Sequence, residues 1–117
     1  MNEQQFSNRQ FYADWCEMKR IAVECVKRGN KYRRTYKWDE QEIDIFAQAL
    51  VNYWMDCAKQ KNPLRPIGPA LAFARQADRE KLTDKTAMRY QWQTIVGPPA
   101  PNADTVPFAE KQESGEP

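Results

Sequence analysis

The segment from Lys19 to Trp38 holds the densest group of side chains able to do chemistry. Eight are cationic (Lys19, Arg20, Lys27, Arg28, Lys31, Arg33, Arg34 and Lys37), and Glu24 alone opposes them. Tyr32, Tyr36 and Trp38 interleave with the last of these cations. Cations on a reachable surface contact phosphate, and unpaired bases stack on aromatic rings. The run Lys31-Tyr-Arg-Arg-Thr-Tyr-Lys-Trp38 supplies both within one short stretch. The expected contacts to nucleic acid, or to an acidic partner, are therefore Lys27, Arg28, Lys31, Tyr32, Arg33, Arg34, Tyr36 and Lys37. Arg33 and Arg34 are the main electrostatic members, and Tyr32 or Tyr36 is the stacking platform. A purely structural account competes with this one. In it the three aromatics fold back on the body, Trp38 packs on the following helix, and the cations solvate a loop. No RNP, KH or helix-turn-helix signature accompanies the segment.

Other chemistries lack their residues. The chain has no histidine, which removes Ser-His and Cys-His catalysis and every zinc site that needs imidazole. The serines are Ser7 and Ser114, and the four glycines, Gly29, Gly68, Gly97 and Gly115, are isolated. No phosphate-cradling glycine loop can be assembled from them. Cys16, Cys25 and Cys57 have no CxxC spacing and are one short of a four-thiolate zinc site. They read as reduced, buried, small apolar residues of a cytosolic chain. Asp39, Glu40, Glu42 and Asp44 are the densest carboxylates, and helix capping explains their spacing. The run Asp78-Arg-Glu-Lys81 reads as exposed helical ion pairing rather than a metal-nuclease fragment. The expectation is a protein that is not an enzyme, with no catalytic residues, no metal and no cofactor.

The charge is unevenly spread. Residues 1–96 carry 17 Lys and Arg against 12 Asp and Glu, whereas residues 97–117 carry Lys111 against Asp104, Glu110, Glu113 and Glu116. A basic body with an acidic tail suits a chain that meets polyanions, though ordinary surface charge and a solubilising tail account for the same counts. No signal peptide is read around Phe6, and the apolar runs fall well short of the ~20 residues a membrane span needs. A cytoplasmic protein with no membrane contact is expected.

These residues must be positioned by helices. Ser7 with Gln10 fits a capping box, and Phe6 with Phe11 fits a hydrophobic staple. A first helix is therefore expected from Ser7 to about Gly29-Asn30. Its main apolar stripe is Phe11, Trp15, Met18, Ala22, Cys25 and Val26. A second stripe of Tyr12, Cys16 and Val23 lies beside it. Asp39 with Glu42 repeats the box, and Trp38 with Ile43 repeats the staple. In the second helix Ile43, Phe46, Ala47, Leu50, Tyr53, Trp54 and Cys57 share one arc, outside which Ile45, Val51 and Met55 fall. Pro63 ends it. Pro69 fits the first position of a third helix over 70–81, with Ala70, Phe73, Ala74 and Ala77 on one face. Thr83 or Asp84 can cap a fourth segment in which Met88, Trp92 and Ile95 align. Segments three and four could also form one kinked helix.

The fold expected is all-α, a small three- or four-helix bundle over residues 1–97 with a disordered, proline-rich, acidic tail over 98–117. Phe108 centres an apolar island in that tail. The leading functional expectation is a binding module in nucleic-acid handling that uses the basic aromatic loop 31–37. The alternative is an adaptor or inhibitor that binds a host or partner protein through the apolar face of Tyr12, Cys16 and Val23. A homo-oligomer is a further option. The compact, tryptophan-rich, motif-poor look resembles the small accessory proteins of bacteriophages and mobile elements. That resemblance rests on no particular residues and assigns no site.

Overall fold

The computed structural model describes residues 3–96, and the expected acidic tail with its Phe108 island lies outside the described residues. Five helices follow in order: α1 (Glu3–Lys31), α2 (Glu40–Lys61), α3 (Ile67–Arg79), α4 (Asp84–Arg89) and α5 (Gln93–Val96). The three long helices pack on one another, α4 lies against α1 and α2, and α5 lies against α3. Among the described residues there is no strand, so the all-α bundle is the fold. No described helix is long and apolar enough to cross a membrane.

The main stripe of α1 delivers Met18, Ala22, Cys25 and Val26 to the core, and Ile21, which neither expected stripe contains, is buried with them. On α2 the buried residues are Ala47, Leu50, Val51, Trp54 and Ala58. Val51 and Met55 fall outside the expected arc. Val51 is nevertheless buried and Met55 packs against the core, because α1 and α3 cover α2 from two directions. Ala70, Phe73, Ala74 and Ala77 of α3 are fully buried on one face, as expected, with Leu71 beside them. Their small side chains let α3 approach its neighbours closely. Ion pairs rim the core: Arg75 donates Nε to Glu17 at 2.8 Å across α1–α3, and Lys19 meets Asp44 at 3.0 Å across α1–α2.

Several boundaries differ from expectation for local reasons. Ser7 already lies within α1, which begins at Glu3, so it is not the N-cap. Phe11 is 47% exposed despite its place in the stripe. At 1.5 Å per residue α1 is about 43 Å long, longer than α2 or α3, and its first turns outrun the helices that could cover them. The third helix starts at Ile67, which puts Pro69 in its third position, where a missing N–H costs nothing because the first four have no intrahelical acceptor. Segments three and four are not one helix. Leu82 N donates to Ala77 O at 3.0 Å, Lys81 N donates to Asp78 O at 3.2 Å, and Lys81 is left-handed with φ 55°. This is a Schellman stop with lysine in the position glycine favours. The expected alignment of Met88, Trp92 and Ile95 is broken at Tyr90, whose extended backbone (ψ 146°) ends α4. Met88 faces outward, and Trp92 is buried with Phe73 at 5.1 Å and Tyr90 at 4.6 Å.

Candidate functional site

The α1–α2 loop is held by its own side chains. The Asn30 amide donates to Trp38 O at 3.2 Å and accepts from Trp38 N at 2.8 Å, which clamps both ends of the loop together. Lys37 Nζ donates to the carbonyls of Asn30 and Lys31 at 2.9 and 2.8 Å. A cation on these terminal carbonyls satisfies orphan acceptors and complements the negative end of the helix dipole. Arg33 donates Nε to Tyr36 O at 2.6 Å while its guanidinium lies 4.4 Å from the Trp38 ring centroid. Trp38 in turn packs on Phe46 at 4.2 Å, one turn beyond the expected staple partner Ile43. Asp39 caps α2 in a complete capping box with Glu42. Glu42 Oε1 also accepts from the Tyr36 hydroxyl at 2.9 Å, and that hydrogen bond raises the Tyr36 pKa above its ordinary value.

The eight expected contact residues thus divide. Arg33, Tyr36 and Lys37 build the loop, and Arg28 ties α1 to the turn before α4 by donating Nε to Leu82 O at 2.9 Å. Lys27, Lys31 and Arg34 are exposed and form no ion pair or side-chain hydrogen bond among the described residues. Tyr32 is 73% exposed. The physical reason is length: a short loop that must reverse the chain needs its carbonyls satisfied, and the nearest donors are its own cations.

A groove of about 340 Å³ opens where the loop faces the start of α4. Its walls are Gly29, Tyr32, Arg33, Arg34, Thr35 and Trp38 on one side, and Thr83, Asp84 and Lys85 on the other. Thr83 caps α4, its hydroxyl accepting from Thr86 N at 3.2 Å. Gly29 permits the approach, since a Cβ there would overlap the Asp84 carboxylate. Lys85 is exposed with no ion pair among the described residues, and the Asp84 carboxylate, which lies against Gly29 in the first turn of α4, likewise has no side-chain hydrogen bond or ion pair there. Sequence reasoning placed Thr83 and Asp84 as capping residues only and missed Lys85. No local pattern links them to a loop some fifty residues earlier.

The other expected face does not hold together. Tyr12 and Cys16 are exposed, whereas Val23 packs against the core. Val23 therefore belongs to the bundle, because α1 presents more than one stripe to the helices around it. A different, mainly apolar surface is a groove of about 410 Å³ lined by Phe11, Leu64, Pro66 and Ile67, with Gln10, Asp14 and Arg65 at its polar positions. A third cavity, of about 290 Å³, is lined by Tyr53, Cys57, Phe73, Tyr90 and Trp92. Among the described residues no three His, Cys, Asp or Glu side chains are grouped as a metal site requires.

No protein-family model, curated protein or solved structure matches this chain. The groove and its side chains therefore carry the functional reading by themselves.

Proposed function

We propose that the protein is a small binding module that contacts nucleic-acid phosphate at the α1–α2 loop and the facing start of α4, without transforming its ligand. The observation that carries this reading is a pair of exposed cations without an ion pair among the described residues, Arg34 and Lys85, on facing walls of one groove, with Lys27 and Lys31 exposed and likewise unpaired near the end of α1. An exposed tyrosine, Tyr32, stands among them. Cations already spent on structure do not release counterions on binding, so these four set the salt dependence. Binding of a labelled single strand, followed by fluorescence anisotropy, is expected to weaken steeply as salt rises. Combining Arg34→Glu with Lys85→Glu is expected to cost at least about tenfold in affinity and to flatten the salt slope. Salt-independent binding, or an unaffected double variant, would refute the reading.

A second reading has its own observation. Phe11 and Leu64 are exposed in the apolar groove beside the α2–α3 connection, and clustered apolar surface of this kind suits a protein partner. A pull-down from the native cell with and without nuclease separates the two. A partner retained after nuclease, and lost in Leu64→Asp, favours the protein interface.

A further inference from the structure

We infer that the apolar groove beside the α2–α3 connection is the seat of this chain's own segment 105–109, with Phe108 as its anchor. The inference stands apart from the phosphate reading, because Phe11 in this groove lies about 27 Å along α1 from Gly29 in the basic one. Phe11 is 47% and Leu64 70% exposed, with Pro66 and Ile67 half-buried beside them. Of the polar residues in the groove, Asp14 already accepts from the Gln10 amide at 2.9 Å. The Arg65 side chain is exposed and has no ion pair or hydrogen bond among the described residues. The groove therefore asks for apolar side chains with negative charge beside them.

Segment 105–109 supplies that combination. Apart from prolines, Val106 and Phe108 are the side chains larger than alanine that are apolar within residues 97–117. Residues two apart share a face of an extended chain, and Pro107 between them favours extended backbone at Val106. Asp104 and Glu110 flank the pair and bring negative charge to Arg65. Location favours the same occupant. The described residues end with α5, whose first residue, Gln93, lines one cavity together with Gln60 and Lys61 of the last turn of α2. Leu64 is three residues beyond Lys61, so the chain leaves the bundle at the end that holds the groove. The twelve residues from Val96 to Phe108 span up to about 40 Å, against a helix diameter of about 10–12 Å. A tether of this length holds the segment at a local concentration on the order of 1 mM, so a weak contact suffices. A second copy fits less well, because a stable dimer needs about 800 Å² from each partner and two exposed apolar side chains supply far less.

The test is amide hydrogen exchange in the full chain, at two protein concentrations tenfold apart. Exchange at Val106 and Phe108 is expected to be about fivefold slower in the native chain than in Leu64→Asp, equally at both concentrations. Arg65→Glu is expected to remove part of that protection. Reciprocally, Phe108→Ala is expected to shift the amide resonances of Phe11 and Ile67. Leu64 and Arg65 are exposed, and circular dichroism checks that their variants fold. Equal exchange in the native chain and Leu64→Asp, or resonances unmoved by Phe108→Ala, overturns the inference. Protection that grows with concentration assigns the groove to a second copy and overturns it too. So does capture of a cellular protein that is equally strong in the native chain and Phe108→Ala, since the groove is then free of the segment.

Discussion

Cys25 and Cys16 are one residue type in two environments. Cys25 is fully buried in the α1 stripe, and burial pushes its pKa up to about 11 from an ordinary 9.0, against a smaller lowering by Arg28. Cys16, expected to be buried as well, is exposed two and a half turns earlier, on a face of α1 that the other helices do not cover. A thiol-specific disulfide reagent is expected to modify Cys16 at once and Cys25 only as the chain unfolds, and the two rates can be followed by mass spectrometry. The raised pKa also sets a pH dependence. The unfolded chain ionises Cys25 near 9, whereas the folded chain resists until about 11. Stability is therefore undiminished below pH 9 and falls as pH rises through 11, by on the order of 2 kcal/mol. Urea unfolding across that range measures it, and the slope should diminish in Cys25→Ala. Burial of Cys25 was legible from helical spacing. Its neighbour Arg28, expected on the binding surface, was not legible as a structural tie, because the carbonyl it bonds is 54 residues away.

Lys81 shows what an element tolerates when its ends are decided by tertiary demands. Leu82 must turn into the core and present its carbonyl to Arg28, so the α3 stop is tight and Lys81 adopts φ 55°. Lysine is disfavoured there, and glycine is not. Lys81→Gly is expected to stabilise the protein by about 0.5–1 kcal/mol, which would raise Tm by roughly 2–8 °C. A lower Tm would contradict the account. Element starts were readable where a cap side chain is polar and close in sequence. Asp39 with Glu42 is one case and Thr83 is another. The same local patterns misled where the helix runs past them. Ser7 looked like a cap but lies within a helix that runs further, and Pro69 looked like a first residue but sits in the third position.

At the scale of the whole molecule, burial depends on which part of a helix the others reach. Phe73 is wholly enclosed by the three-helix core, whereas Phe11 lies on a part of α1 that the shorter helices leave half uncovered. Phe73→Ala is expected to cost about 3–5 kcal/mol, as deletion of an enclosed ring does, and Phe11→Ala under about 1 kcal/mol. Chemical denaturation of both variants checks the contrast, and comparable losses would mean that Phe11 is covered in solution. The same geometry divides the surface. The basic groove lies where the α1–α2 loop meets the start of α4, and the apolar groove lies between Phe11 and the α2–α3 connection.

The sequence by itself determined the all-α class, the face each long helix buries, the capping box at Asp39 and the concentration of cations before Trp38. Each of these follows from spacing within a few residues, where helix geometry dictates which side chains share a face or reach a backbone group. Only the tertiary structure decided which of those cations remain available. Trp38 and the loop carbonyls claim Arg33 and Lys37, the Leu82 carbonyl claims Arg28, and Lys27, Lys31 and Arg34 are left over. Only packing brought Lys85 and Asp84 to the same groove, through the close approach that Gly29 permits. Availability is a matter of unsatisfied valence, and a side chain's valence is settled by neighbours that its own stretch of sequence does not contain.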